Sequence, residues 1–256
     1  MISHPGCLFG ILKSLGLFSK DKDREKKMNE SRNEFRKNKK AGHHMLDQQG
    51  FDKWSGEYDE SIKNSKGYPF DGYYDVMGYV QGKVLSKGDT PIKVLDIGIG
   101  TGSLSAELYK QGADIVGVDF SEKMLEEAQR KIPKARLYQQ DLTEGLPEAL
   151  EEEGFDFIIS SYALHHLRNS QKLDVLQKLL NLLKEKGEIL IADVAFESME
   201  DLQACKEQAG EEWDDAEFYM IGGEMVKELE KRGITAEYQQ ISYCAGVLKI
   251  ERINVK

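Results

Sequence analysis

Along residues 45–251 of this 256-residue chain, short unbroken apolar runs alternate with apolar stripes spaced three and four residues apart. The runs at 92–97, 114–119, 135–139, 155–160 and 188–194 have strand length and are bounded by glycine or polar clusters. Between them, Leu104 and Leu108 mark a helix over 103–111. Met124, Leu125 and Ala128 mark another over 121–131, with Ser121 as its N-cap. Leu173, Leu176, Leu180 and Leu183 form a further helical stripe, which Gly187 closes. Strands alternating with helices predict a parallel sheet covered on both faces. Residues 235–241 and 244–251 break that alternation, because too little chain separates them for a helix, and they predict a closing hairpin. The expected fold is α/β, a doubly wound, Rossmann-like, seven-stranded mixed sheet. Residues 197–232, which hold Trp213, Phe218 and Tyr219, read as largely helical.

Ahead of the first strand, Phe51, Trp54 and Tyr58 share one helical face. The pattern breaks at Gly67, Tyr68, Pro69 and Phe70, and Tyr73, Met77 and Val80 resume it. We read residues 45–90 as an N-terminal helical lid with an aromatic elbow, set before an α/β domain over 91–256. Core packing accounts for Phe51 and Val80, whereas Trp54, Tyr58, Tyr68 and Tyr73 are candidates to face a site. Residues 1–44 are different: an apolar stretch at 7–18, too short to span a bilayer, precedes a basic run at 20–40. A secretory signal has the opposite order. The segment is expected to be a basic, disordered leader, with a short membrane-surface helix as the alternative.

The chemistry concentrates where the first strand ends, in V-L-D-I-G-I-G-T-G over 94–102. Gly98, Gly100 and Gly102 lack a Cβ, so the turn can take positive φ and bring its backbone close to a ligand, while the following helix offers unpaired N–H groups. Asp119 closes the second strand 21 residues after Gly98, the spacing at which an acid meets both hydroxyls of a ribose. A dinucleotide fingerprint would place its third glycine where Ser103 stands.

Charge and composition narrow the partners. Residues 1–44 carry eleven Lys or Arg against five acids, so the overall net charge of −10 becomes −16 over the remainder. An acidic body opposes a grip on nucleic acid phosphates and suits solubility or a small or cationic substrate. Cys7, Cys205 and Cys244 are far apart, which fits a reducing, cytoplasmic setting. His4, His43, His44, His165 and His166 show no ligand spacing with carboxylates, so no metal is indicated. No apolar stretch approaches the ~20 residues of a spanning helix, so stable membrane insertion is not expected. Oligomeric state is not legible.

With Asp96 upstream of G-x-G-x-G, the loop resembles motif I of the class I S-adenosylmethionine (AdoMet) methyltransferases. G-V-D-F-S-E-K-M-L, Q-Q-D-L and F-D-F-I-I-S-S-Y-A-L-H-H-L extend the resemblance over roughly 92–194. The flanks F-D-K-W-S-G-E-Y-D-E-S and Y-C-A-G-V-L-K-I-E-R are similar to the YrrT group of bacterial methyltransferases. The resemblance implies AdoMet as cofactor, with Asp96, Gly98, Gly100 and the Gly102 loop around its methionine moiety. It implies Asp119 on the ribose, Phe120 and Met124 beside the adenine, Asp141 on the adenine amine with Leu142 against the ring, and Ser160 near the methionine end. Tyr58, Tyr162, His165 and His166 are candidates for positioning an acceptor or removing its proton. After the fourth strand the chain reads S-S-Y-A rather than D/N-P-P-Y/F, and no Pro-Cys pair offers a nucleophile, so a small-molecule acceptor is expected rather than DNA. In-line methyl transfer needs alignment above all. Two other classes stay open at this point, a nicotinamide-dependent oxidoreductase and a nonenzymatic AdoMet-binding sensor.

Overall fold

The computed structural model describes residues 58–63, 67–88 and 91–252. The leader over 1–44 and Trp54 lie outside the described residues. Among the described residues two helices come first, α1 (Tyr58–Lys63) and α2 (Tyr73–Leu85). The alternating part follows as β1 (Lys93–Ile97), α3 (Ser103–Lys110), β2 (Asp114–Asp119), α4 (Glu122–Lys131), β3 (Arg136–Gln139), β4 (Phe155–Ser161), α5 (Asn169–Asn181) and β5 (Leu183–Phe196). It closes with α6 (Met199–Ala209), β6 (Met220–Ile221), α7 (Gly222–Lys231), β7 (Thr235–Gln240) and β8 (Ala245–Glu251).

Seven strands form one continuous path in the order β3-β2-β1-β4-β5-β8-β7. The first five are parallel and the β7–β8 hairpin is antiparallel, as the sequence predicts. Strand order runs outward from β1 in both directions, to β2 and β3 on one side and to β4 and β5 on the other. That reversal opens a crevice past the carboxyl end of β1, where doubly wound sheets bind ligands.

The period-two pleat of the strands feeds two cores. Val94 and Ile115 face one layer with Val76, Val80, Leu104 and Leu108 from α2 and α3. Leu95, Ile97, Val116 and Val118 face the other with Leu173, Leu176 and Leu179 of α5 and Met225 and Leu229 of α7. Gly117 keeps the first face thin: a Cβ there would come within 2.5 Å of Ile99 and 2.8 Å of Leu137. Ser121 caps α4 as expected, its Oγ accepting from the Met124 amide at 3.2 Å.

Three expectations need correction. An eighth strand exists, because Met220 and Ile221 pair with Ala195 and Phe196 where β5 projects beyond its neighbours. Two residues are too short to register as a pattern, and they interrupt the helical reading of 197–232. Trp213, Phe218 and Tyr219 lie in the non-helical stretch between the single turn Gly210–Glu212 and β6. Leu183 belongs to β5 rather than to the α5 stripe, because the Phe155 amide captures the carbonyl of Leu182 at 2.8 Å just past Asn181. Gly187 therefore sits inside β5, beside a register irregularity against β4.

The elbow at 67–72 is seated on the turn between β7 and β8. Ser242 Oγ donates to the Asp71 carbonyl at 2.8 Å, and a Cβ on Gly72 would fall 2.5 Å from Ser242 Cβ.

Candidate functional site

The glycine loop is stitched to the end of β2. The amides of Gly98 and Ile99 both donate to the Val118 carbonyl, at 2.8 and 3.1 Å. Gly98, Gly100 and Gly102 have φ of 69°, 54° and 76°, a region that L side chains rarely adopt. Their surroundings differ. A Cβ on Gly98 would fall 2.4 Å from Ala163 Cβ, and one on Gly102, which precedes α3, would crowd Ala128 and Ile132 at the end of α4, whereas one on Gly100 would meet nothing within 4 Å. Gly98 and Gly102 thus serve packing, and Gly100 leaves bare backbone facing open space.

Asp119 is buried at the carboxyl end of β2, and both its oxygens hold backbone: Oδ2 accepts from the Gly100 amide at 2.8 Å and Oδ1 from the Ser121 amide at 2.9 Å. The acid therefore shapes the loop as well as facing the crevice. Asp96, 1% exposed, accepts from Ser105 Oγ at 2.6 Å through Oδ2, while Oδ1 has no hydrogen-bond partner among the described residues. Burial raises its pKa to about 7 against the Ser105 hydrogen bond, and the charge of Asp119 adds to the rise. An orphaned buried carboxylate oxygen is costly unless a donor arrives.

The other predicted cofactor residues line the same carboxyl edge. Phe120 follows Asp119, and Met124 is buried on the first turn of α4. Asp141, exposed past β3, accepts from Thr143 through one oxygen, at 2.8 Å from its amide and 2.7 Å from its hydroxyl, and Leu142 is half-buried. Ser160 is buried at the end of β4 and donates to the Ile97 carbonyl at 2.7 Å, binding β4 to the rim of the loop.

Of the candidates for acceptor chemistry, Tyr58 opens α1, and its side chain lies outside the described residues. Tyr162 is buried in the left-handed region, with φ of 50°, and its ring sits 5.1 Å from Tyr73 and 5.8 Å from Phe70. Such a conformation in a bulky residue is strained and is held only by firm surroundings. His165 is buried with Nδ1 2.5 Å from Asp193 Oδ1, and its amide donates to Asp193 Oδ2 at 2.9 Å. Burial lowers the imidazole pKa, but the charges of Asp193 and Glu217 outweigh it and push it up to about 9. The His166 ring lies 4.1 Å from that of His165. Beyond them, Tyr68 stacks on Trp213 at 5.2 Å, its hydroxyl meets that of Tyr219, and Tyr219 reaches Glu217 Oε2 at 2.8 Å.

Sequence reasoning missed two groups. Asp59 of α1 accepts from Thr101 Oγ1 and Ser103 Oγ, both at 2.8 Å, and pairs with Lys131 at the end of α4. Burial pushes the Asp59 pKa up, but the hydrogen bonds from Lys131, Thr101 and Ser103 win and hold it below the usual carboxylate range. Nothing local marks these residues. Asp193 did leave a signal, as an acid in the middle of the apolar run of β5.

The carboxyl edge of β1 to β4 thus brings together a bare glycine and an orphaned acid, with an aromatic wall beyond β4. Residues 94–187 match the family described as a methyltransferase domain. An uncharacterized methyltransferase of Geobacillus sp. (strain WCH70) is 31% identical over 204 residues, spanning 74% of this chain and 90% of that protein. The chain belongs to the class I AdoMet-dependent methyltransferases. Its relationship to the YrrT group is supported by YrrT of Halobacillus halophilus, 26% identical over 212 residues, or 79% of this chain and 95% of that one. The fold is shared with the magnesium protoporphyrin IX methyltransferase of Synechocystis PCC 6803 with bound SAH, at a TM-score of 0.62 and 23% identity, covering 80% of this chain and 95% of that one. It is shared equally with DhpI in its SAM-HEP complex, at a TM-score of 0.61 and 17% identity, covering 82% and 99%. AdoMet is the cofactor of this methyltransferase, which disposes of the nicotinamide reading. The residues fit it: Asp96 Oδ1 awaits a donor, and the open side of Gly100 admits a ligand against backbone. Among the described residues no helix of the methyltransferase is long and apolar enough to cross a membrane.

Proposed function

We propose that this methyltransferase acts on a small-molecule acceptor in the cytoplasm and holds AdoMet along the carboxyl edge of β1 to β4. In this reading Asp96 Oδ1 accepts from the amino group of the methionine moiety, whose carboxylate lies against the Gly98–Gly100–Gly102 loop. Asp119 takes the ribose hydroxyls. Phe120, Met124 and Leu142 flank the adenine, Asp141 accepts from its amine, and Ser160 sits by the methionine end. The cofactor supplies an electrophilic methyl group on a sulfonium.

The observation that carries the small-molecule reading is the aromatic wall at the ends of β4 and β5, built from Tyr68, Tyr73, Tyr162, Trp213 and Tyr219. Tyr162 is held in a strained conformation there. Four of these rings are buried and Trp213 is half-buried, which suits a compact guest rather than a nucleic acid strand. Aromatic faces also favour a cationic sulfonium. The acidic balance outside the leader supports the same exclusion of nucleic acid. α1 serves as the lid, held over the glycine loop by Asp59, Thr101, Ser103 and Lys131, and Tyr58 is the residue of α1 that acts on the acceptor.

The test is AdoHcy release by the full chain with AdoMet and a panel of small hydroxyl, carboxyl, thiol and amine acceptors, run beside bulk RNA and denatured protein. Turnover with a small acceptor alone is expected. Turnover confined to RNA or protein would contradict the reading.

A further inference from the structure

One cluster outside the cofactor crevice has the composition of a metal centre. We propose that His165, His166 and Glu217 bind one divalent transition-metal ion of the zinc type. One ligand atom from each of the three lies within 4.8 Å of the others, and His165 Nε2 is 3.9 Å from Glu217 Oε1. With bonds of about 2.0–2.2 Å at a tetrahedral angle, two ligands of a single ion sit roughly 3.3–3.6 Å apart, so side-chain rotations draw the set in by up to about 1 Å.

The surroundings orient each donor. Asp193 holds Nδ1 of His165 at 2.5 Å, which directs Nε2 toward Glu217. A carboxylate on the far nitrogen is the arrangement that fixes metal-binding imidazoles. The Phe218 amide donates to the His165 carbonyl at 2.8 Å, so the backbone pins Glu217 beside the histidine pair. Glu217 Oε2 faces the Tyr219 hydroxyl, and Oε1 is the oxygen nearest His165.

Charge favours a cation at this point. Asp193 and Glu217 both converge on the cluster, while the buried ammonium of Lys172 is directed at the carbonyls of Leu167 and Phe218 and at Asn169 Oδ1. An incoming ion displaces the Nε2 proton to solvent. Two imidazoles and a carboxylate suit zinc, cobalt or iron(II), and three protein ligands leave a position open to water or an acceptor. The spacing of the histidines gave no hint because Glu217 arrives from beyond β5.

The chelator-treated full chain is titrated with zinc by calorimetry and with cobalt by absorption, beside Glu217→Gln and His166→Gln. Circular dichroism establishes that each variant is folded. One equivalent is expected, with cobalt d–d bands, no sulfur-to-cobalt charge-transfer band, and affinity at least about tenfold weaker in each variant. Failure of the parent chain to bind would overturn the proposal. So would unchanged affinity in both variants or a thiolate band, which would put the ion on His43 and His44 or on a cysteine.

Discussion

The carboxylate of Asp59 and the ammonium of Lys131 form an ion pair that joins α1 to the end of α4 across the glycine loop. Both side chains are about a third exposed, so the pair alone is worth little, roughly 0–1 kcal/mol. Its weight comes from sharing: Lys131 Nζ also reaches Thr101 Oγ1 at 3.0 Å and Ser103 Oγ at 3.1 Å, the two hydroxyls that donate to Asp59. Ser103, the residue that breaks the dinucleotide fingerprint, is thus part of the contact that seats α1.

Asp59→Asn should loosen α1 without unfolding the sheet. Limited trypsin digestion is expected to cut after the exposed Lys63 faster in the variant than in the parent chain, with a melting temperature shifted by no more than a few degrees. AdoHcy should slow that cleavage in the parent. Equal cleavage of the two proteins, with and without ligand, would remove the latch.

Gly98 and Gly100 should separate packing from binding. Gly98→Ala drives a methyl group into Ala163 at 2.4 Å and keeps a positive φ, so it should lower stability by several kcal/mol, since backbone strain alone is of order 1–3 kcal/mol. Gly100→Ala carries the strain without the clash. Its stability loss should be smaller, and its loss of AdoHcy affinity, at least about tenfold, should be the dominant effect. Chemical denaturation and calorimetry on both variants decide it, and the reverse ranking would misplace the cradle.

Asp96 makes stability depend on pH. Its pKa is about 7 in the folded chain against 3.8 when unperturbed, so between those values the folded state holds a proton that the unfolded state has released. Stability from this group is then highest near pH 4 and falls as pH rises to 7, at about 1.4 kcal/mol per pH unit in the limit. Asp96→Asn should therefore stabilise the ligand-free chain at pH 8 and change it little near pH 4.5. Denaturant midpoints at the two pH values measure it, and coincident midpoints at pH 8 would show that the buried charge carries no penalty.

Asp119→Ala should weaken AdoHcy binding by roughly 1.5–3 kcal/mol, the scale of hydrogen bonds to a charged group. Because Asp119 also holds the amides of Gly100 and Ser121, the melting temperature should fall as well. Asp119→Asn, which keeps an acceptor oxygen for one of those amides, should recover more stability than affinity. Full recovery of both would show that the ribose is held elsewhere.

Much of this was legible because it is local in the chain. The loop from Asp96 to Gly102 and the acid at Asp119 lie on consecutive elements, so spacing alone places them on one edge. The five parallel strands follow from the alternation of strand and helix, and the closing hairpin from its break. What the sequence hid depends on distant pairing. Asp59 reads as an ordinary helix acid and Lys131 as an ordinary basic residue in a last turn, and only the fold brings them together. Glu217 reaches His165 because a two-residue strand draws 213–221 back along β5, and no window of sequence carries that. Leu183 was misread because its spacing from Leu180 is helical by coincidence, while its backbone neighbour Leu182 is already captured by Phe155.

The most direct test is calorimetric titration of AdoHcy into the full chain and into Asp96→Asn at pH 8, with NAD as the control ligand. One site of micromolar-range affinity is expected in the parent chain, weaker by at least about tenfold, or about 1.4 kcal/mol, in the variant, with no heat from NAD. Affinity unchanged by Asp96→Asn, or binding of NAD in place of AdoHcy, would contradict the assignment of this crevice.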